Sequence, residues 1–179
     1  MRIVSGTHKR RLINAPKNLR VRPTTDFAKE SLFNILKNHL KFDHLREVLD
    51  LFAGTGNISY EFASRGSENI TAVDMNFKST KFIKNTAGEL GFDIHVVKAN
   101  VFSFLEYCKK TYDLIFADPP YDMSRIEMIP DIIFEKGLLN KAGWLIVEHS
   151  KDISFNEHPN FFEHRKYGKV NFTFFRNNL

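Results

Sequence analysis

The chain has 179 residues, a length that fits one domain, so we expect residues 1–179 to form a single globular domain. Apolar residues make up 42% of the chain and 18 residues are Phe, a composition that can bury a core and that excludes an intrinsically disordered protein. The net charge of +5 favours a polyanionic partner.

Several classes of protein are disfavoured by what the sequence lacks. No stretch approaches the roughly 18 apolar residues of a membrane span, and residues 1–10 lack the apolar run of a signal peptide. Cys108 is the only cysteine and cannot form an intrachain disulfide, while the 7 His residues never show the i, i+4 spacing that pairs imidazoles on a helix. We therefore expect a soluble, cytoplasmic protein that binds no metal.

Positive charge is concentrated at the start of the chain. No acidic residue occurs between Met1 and Val21, and apolar pairs at 3–4 and 12–13 lie on either side of Ser5-Gly6. This pattern predicts a short basic hairpin or extended arm over residues 1–22, serving as an electrostatic contact surface or a solvated tail. Its cations are Arg2, Lys9, Arg10, Arg11, Lys17, Arg20 and Arg22.

A helix is predicted next. Thr24 or Thr25 can cap its free N–H groups, and Asp26 lies favourably in its first turn. Apolar residues at three- and four-residue spacing, from Ala28 to Leu36, give this helix one apolar stripe.

The remainder of the chain has the pattern of an α/β sheet. Short apolar runs predict buried strands, and segments such as Phe77–Leu90 and Ile126–Phe134 are long enough for the helical crossovers between parallel strands. Two final runs flank Tyr167-Gly168 and predict an antiparallel hairpin at the sheet edge. The predicted strands are Val48–Phe52, Ile70–Asp74, Ile94–Lys98, Tyr112–Ala117 and Trp144–Glu148, followed by the hairpin runs Phe161–Lys166 and Val170–Arg176.

A glycine turn follows the first of these strands. The segment Asp-Leu-Phe-Ala-Gly-Thr-Gly at 50–56 leads into a helix, and its glycines let the backbone approach a ligand. A structural turn, a dinucleotide site and an adenosylmethionine site can all use such a motif. Ser59 occupies the third glycine position of the dinucleotide fingerprint, which counts against a dinucleotide site.

Two polar residues follow the next two strands. Asp74 comes 20 residues after Gly54, where a carboxylate can accept hydrogen bonds from both ribose hydroxyls. Asn100, just past the third strand, could bond an adenine ring or could equally cap a turn or helix.

The tetrapeptide Asp-Pro-Pro-Tyr at 118–121 directly follows the fourth strand, at the edge where open α/β sheets bind ligands. Asp118 can accept one N–H of an aromatic amine and a main-chain carbonyl beside it the other, which aims the nitrogen lone pair. The prolines restrict the loop, and Tyr121 can stack on an unstacked base. The alternative is a rigid turn whose Asp caps and whose Tyr packs.

The sequence at this point resembles the RsmD-type bacterial methyltransferases, which modify guanine N2 of small-subunit ribosomal RNA. The similarity covers nearly the whole chain. Asp-Pro-Pro-Tyr alone is shared with adenine-N6 methyltransferases, and a related Asn-Pro-Pro-Tyr marks enzymes that act on glutamine amides. The segment Arg-Pro-Thr-Thr-Asp at 22–26 favours the RsmD-type family over both of these classes. The matching segments are residues 2–6, 19–26, 29–34, 49–56 and 118–121, with 167–168 and 174–176.

The resemblance implies a Rossmann-like methyltransferase fold with a mostly parallel seven-stranded sheet, a C-terminal antiparallel hairpin and a basic N-terminal extension. It implies S-adenosylmethionine as cofactor and small-subunit ribosomal RNA, either free or within an assembled subunit, as partner. The cofactor site would contain Asp50, Phe52, Gly54, Gly56, Asp74 and Asn100. The guanine amino group would be held by Asp118, Pro119, Pro120 and Tyr121, and RNA by Arg2, Lys9, Arg10, Arg11, Arg20, Arg22 and Thr24.

The chain departs from the family pattern at two places. Residues 5–11 lack the later glycine of the family's opening, so we expect a different hairpin turn, and Asp74 stands where the family more often has Glu. Three other functions stay open from the sequence: an adenine-N6 nucleic-acid methyltransferase, a non-catalytic RNA-binding module with a vestigial cofactor fold, and a nicotinamide dehydrogenase.

Overall fold

A seven-stranded sheet organises the part of the chain that the computed structural model describes, residues 1–16, 19 and 25–178. The strand order is β3-β2-β1-β4-β5-β7-β6. The first five strands are parallel, β7 runs antiparallel to β5, and β6 runs antiparallel to β7. The predicted fold class is therefore confirmed. The strands are β1 Glu47–Leu51, β2 Asn69–Asp74, β3 Ile94–Lys98, β4 Tyr112–Ala117, β5 Leu139–His149, β6 Phe161–Tyr167 and β7 Val170–Arg176.

Helices connect the parallel strands and cover both faces of the sheet. Thr25 caps the first helix, because its Oγ1 accepts a hydrogen bond from Ala28 N at 3.1 Å. Among the described residues no helix is long and apolar enough to cross a membrane. The helices are α1 Asp26–His39, α2 Asn57–Ser64, α3 Phe77–Leu90, α4 Val101–Tyr107 and α5 Met128–Glu135.

The observed bounds differ from the predicted ones by one residue at both ends of β1 and at one end each of β2 and β6, and by more at two elements. Helix α5 begins at Met128, two residues later than predicted, and β5 begins at Leu139, five residues before the predicted Trp144. Helix α4 was not predicted as an element of its own, and Asn100 caps it.

The apolar residues of the central strands alternate between two cores. Val48, Phe116 and Ile146 pack with α1 and α2 on one face, while Leu49 and Ile115 pack with α4 and α5 on the other. Both faces of a parallel sheet are covered by helices, which explains why these strands appear in the sequence as nearly continuous apolar runs.

Residues 1–16 form a short hairpin, and the rest of the predicted segment 1–22, apart from Leu19, lies outside the described residues. Arg2 and Leu12 form an antiparallel bridge, and Ile3 N donates to Arg11 O at 3.0 Å. Ile3 and Ile13 are buried against residues of α2 and α3. We call residues 1–16 the arm.

A buried carboxylate fastens the arm to α2. Val4 N donates to Glu61 Oε2 at 2.8 Å, and Ser5 N donates to Glu61 Oε1 at 3.0 Å. Glu61 is also paired with Arg65, Nε to Oε1 at 2.8 Å, and with the buried Lys29, Nζ to Oε2 at 3.5 Å. Burial lowers the pKa of Lys29, and the nearby Glu61 opposes that shift. The arm is thus held by charge-assisted bonds in a dry site.

Gly6 allows the hairpin turn to lie directly on the end of α2. Its φ is +85°, and a Cβ there would stand 1.7 Å from the carbonyl oxygen of Ser64. Arg10, also in the turn, has a φ of 71°, a conformation that glycine adopts more easily. The family's later glycine is absent from residues 5–11, and a non-glycine residue takes a left-handed conformation there.

We predict that Gly6→Ala displaces the arm and lowers the free energy of unfolding by about 2 kcal/mol or more, since the new methyl group meets backbone and the φ becomes strained. Urea denaturation and limited proteolysis of the arm would measure this. Gly88→Ala is the matched control, because Gly88 lies inside α3 with nothing within 4 Å of the added carbon. It should stabilise the protein by roughly 0.5–1 kcal/mol. A Gly6 variant as stable as the wild type would contradict the packing described.

Candidate active site

A cavity of about 620 Å³ opens at the carboxyl edge of the parallel strands. Residues that directly follow β1, β2, β3 and β4 form its wall, and the volume lies in the range of small-molecule sites. Of the residues predicted to act at a site, the cavity brings together Phe52, Gly54, Asp74, Asn100, Asp118, Pro119, Pro120 and Tyr121.

The two glycines of the turn after β1 have different roles. Gly54 lines the cavity, whereas Gly56 is absent from its lining and precedes α2 with a φ of +79°. A Cβ on Gly56 would stand 2.8 Å from the ring of Tyr60. Gly56 therefore permits close packing of the turn on α2. Phe52, which lines the cavity, holds a φ of 62°, and a bulky residue in this conformation indicates backbone strain at the site.

Asp74 joins the glycine turn to the end of β2. Its Oδ2 accepts a hydrogen bond from Gly54 N at 2.8 Å, and its Oδ1 accepts one from Asn76 N at 2.7 Å. A carboxylate offers about four acceptor positions. Asp74 can therefore keep both of these bonds and still accept two hydroxyl protons from a ligand in the cavity.

Asp50 lies beneath the turn and not in the cavity wall. The carboxylate is 2% exposed, and its Oδ2 accepts hydrogen bonds from both the backbone N and the hydroxyl of Ser59. Burial raises the pKa of Asp50 to about 7, the Ser59 bonds oppose that shift, and the charge of Asp74 adds to it. The residue at the third glycine position thus donates hydrogen bonds that a glycine could supply only in part.

Asn100 lines the cavity and caps α4. Its Oδ1 accepts hydrogen bonds from Phe102 N at 2.9 Å and Ser103 N at 3.3 Å. The capping alternative left open by the sequence is observed. With its oxygen used in the cap, the contact that Asn100 can still offer an adenine ring is an amide N–H donor.

The Asp-Pro-Pro-Tyr loop forms the wall of the cavity beyond β4. Asp118 is half-buried, Pro119 is buried and Pro120 is exposed. The loop turns back on itself, because Met123 N donates to Pro120 O at 2.9 Å. The hydroxyl of Tyr121 donates to Glu148 Oε1 at 3.2 Å. The carboxylate of Asp118 lines the same cavity as Gly54 and Asp74.

Other residues of the cavity were missed by the sequence analysis. Met75 and Asn76 follow Asp74 directly, and Met123 follows the Asp-Pro-Pro-Tyr loop. Their place next to predicted site residues was the available signal. Glu148 carried no such signal, because its partner Tyr121 is 27 residues away in the chain.

Four of the seven residues predicted to contact RNA lie on the arm. Lys9, Arg10 and Arg11 are exposed near the turn, which packs on Ser64 at the end of α2. Arg2 lies at the other end of the hairpin, with its Nε 4.0 Å from Asp26 Oδ2. Arg20, Arg22 and Thr24 lie outside the described residues. The arm cations therefore extend away from the cavity along α2.

We predict that Asp50→Asn stabilises the protein above pH 7. With its pKa raised, native Asp50 holds a proton that the unfolded chain has lost, so stability falls as the pH rises from about 4 to about 7. An amide keeps the acceptor for Ser59 and never ionises.

Urea denaturation as a function of pH should show the stability difference between variant and wild type growing through this window to about 1 kcal/mol or more. Asp43→Asn, at an exposed position, reports the general effect of losing one carboxylate. A difference that is constant from about pH 4 to about pH 8 would rule out the buried proton.

Comparison with known proteins places these features in a family. The family model described as "Conserved hypothetical protein 95" matches residues 1–176. The "Putative rRNA methyltransferase YlbH" of Bacillus subtilis is 34% identical over 162 residues, which cover 88% of this chain and 86% of that protein. The "Ribosomal RNA small subunit methyltransferase D" of Escherichia coli K12 is 31% identical over 149 residues, covering 83% of this chain and 74% of that protein.

A solved structure agrees with these relatives. The "Putative methyltransferase yhhF" of Escherichia coli has a TM-score of 0.86 and 25% sequence identity, and the alignment covers 99% of this chain and 97% of that one. The resemblance that the motifs indicated is confirmed. Because the family model covers residues 1–176 and the relatives named are more than 30% identical, the chain belongs to the RsmD-type methyltransferase family.

Proposed function

We propose that the chain is an S-adenosylmethionine-dependent methyltransferase that modifies the exocyclic N2 amino group of a guanine in small-subunit ribosomal RNA. One observation carries the proposal: Asp118, an acceptor for an aromatic amine, lines the same cavity as Asp74 and Gly54, which fit a nucleoside. Family membership and the named rRNA methyltransferases among the relatives support ribosomal RNA as the substrate class.

The cavity fits the cofactor on three counts. Asp74 retains acceptor capacity for two ribose hydroxyls, Gly54 brings backbone close to the ligand, and the exposed side chain of Met75 offers an apolar surface for a purine ring. When bound, S-adenosylmethionine supplies a methyl group on a positively charged sulfur.

The loop at 118–121 positions the amine. Asp118 accepts one of its N–H bonds, and a main-chain carbonyl beside Asp118 accepts the other, so the nitrogen lone pair is directed into the cavity. Pro119 is buried and fixes the backbone that carries these acceptors. Tyr121 stacks on the base and so offsets part of the cost of unstacking it from the RNA. Rate enhancement then comes chiefly from orientation.

The arm binds RNA phosphates at a distance from the target base. Its turn contacts Ser64 at the far end of α2, roughly 10 Å from the glycine turn given the length of an eight-residue helix. Exposed Lys9, Arg10 and Arg11 can neutralise phosphates there, and the bonds to Glu61 keep the hairpin rigid while they do so.

The deciding experiment is incubation with labelled S-adenosylmethionine and unmodified ribosomal RNA or small subunits, followed by nucleoside mass spectrometry. We expect N2-methylguanosine. Detection of N6-methyladenosine would instead assign the adenine-N6 activity, and saturable cofactor binding without transfer to any RNA would disprove the enzymatic proposal.

In the same assay Asp118→Ala should lower the turnover by a factor on the order of 10² or more. The wild-type carboxylate accepts a hydrogen bond from the target amine, and this bond strengthens as positive charge develops on the nitrogen in the transition state. Asp43→Ala removes a carboxylate at an exposed site remote from the cavity lining and should retain activity. Wild-type turnover in the Asp118 variant would show that this carboxylate does not hold the substrate.

Charge reversal in the arm should weaken RNA binding and reduce its salt dependence. We predict that Arg10→Glu with Arg11→Glu lowers affinity at least about tenfold at low salt and reduces the slope of log affinity against log salt, because fewer counterions are released. Lys109→Glu with Lys141→Glu makes the same charge change at exposed positions outside the arm, just before β4 and near the start of β5. Equal losses in both double variants would indicate a general charge effect and not a contact made by the arm.

A further inference from the structure

The tyrosine of the Asp-Pro-Pro-Tyr loop is tied to a strand that the sequence motif does not include. Tyr121 donates its hydroxyl to Oε1 of Glu148 at 3.2 Å. Glu148 belongs to β5 and is 2% exposed. A buried carboxylate, held in a strand, therefore accepts a hydrogen bond from a side chain at the cavity wall.

The sheet places Glu148 next to the loop. Strands β4 and β5 are parallel, with Ala117 paired to Val147. Asp118 directly follows the end of β4, and Glu148 follows Val147 within β5, so the two acids occupy neighbouring positions at the carboxyl edge of β4. Tyr121, three residues after Asp118, turns back to reach the neighbouring strand.

The backbone of Glu148 is fixed on its other side as well. It pairs with Phe172 of β7, and the following residue, His149, bonds Thr173 Oγ1 through Nε2 at 2.8 Å. An acceptor in an interior strand has little freedom to move. Glu148 therefore gives the tyrosine a rigid partner that the loop itself cannot provide.

We infer that Glu148 is a positioning residue that acts through Tyr121 and sets the orientation of the aromatic ring on which the target base stacks. This inference rests on the proposed function, because it assigns Tyr121 to the base. Two prolines restrict the loop backbone, but they leave the side-chain torsions of Tyr121 free. The bond to Glu148 fixes those torsions and so keeps the target amine within reach of Asp118.

The test is a double-mutant cycle in the methyl-transfer assay, with Tyr121→Phe, Glu148→Ala and the double variant. Tyr121→Phe removes the hydroxyl and keeps the ring. Each single change should lower kcat on RNA about tenfold, the double change should also lower it about tenfold, and the KM for S-adenosylmethionine should change less than about twofold. Glu148→Gln retains an acceptor and should restore kcat to within about threefold of wild type.

Stability is followed separately, by thermal unfolding and by calorimetric titration of S-adenosylmethionine. Should Glu148→Ala fail to fold, Tyr121→Phe and Glu148→Gln still decide the matter, because each keeps the volume at its site. Wild-type kcat in Tyr121→Phe, or single effects that multiply in the double variant, would overturn the inference. So would a Glu148→Gln variant that folds and is as slow as Tyr121→Phe.

The two proposals can fail separately. If the wild type methylates RNA but the cycle is additive, the positioning role is wrong and the proposed function stands. If mass spectrometry finds a different amine, the cycle is measured on that product, and coupling between Tyr121 and Glu148 still supports the positioning role. If the wild type methylates no RNA, both proposals are wrong.

Discussion

The candidate site depends on one constraint: the five strands β1, β2, β3, β4 and β5 all run parallel in one sheet. Strands that run in the same direction have their carboxyl ends at the same edge of the sheet, so the residues that follow these strands lie close together there. The hydrogen bond from Gly54 N to Asp74 Oδ2 then locks the first two of these strand ends together at 2.8 Å. The bond from Tyr121 to Glu148 joins the ends of β4 and β5 in the same way. Side-chain acceptors thus convert an edge of the sheet into a cavity of fixed shape.

Much of this fold could be predicted from local patterns. Helix α3 has the predicted bounds, Phe77–Leu90, because Asn76 caps its start and Gly91 ends it in a left-handed conformation with a φ of 66°. Helix α4 has only seven residues and could not be distinguished from a loop by its apolar spacing. The first residues of β5 escaped prediction because Asn140, Lys141 and Gly143 interrupt the apolar run.

The lining of the cavity could be predicted where its residues are contiguous in a motif, as in Asp-Pro-Pro-Tyr. The role of a side chain was not predictable where it depends on a partner distant in sequence. Asp50 accepts a hydrogen bond from Ser59 beneath the glycine turn, and Glu148 accepts one from Tyr121 of the cavity wall. Glu61 was passed over because its partners, Val4 and Lys29, come from two other segments of the chain. Contacts between residues that are distant in the sequence cannot be predicted from composition or residue spacing.

The arm is part of the core as well as part of the surface, and this has a consequence for shortened chains. Deleting it would leave Glu61 without two main-chain donors and Lys29 without the carbonyl of Arg2. It would also uncover the apolar surface that Ile3 and Ile13 bury. Truncation would therefore remove three hydrogen bonds from the buried pair of Glu61 and Lys29, at a cost of several kcal/mol. A chain without its first residues would lose part of its core together with the cations through which we propose that it binds RNA.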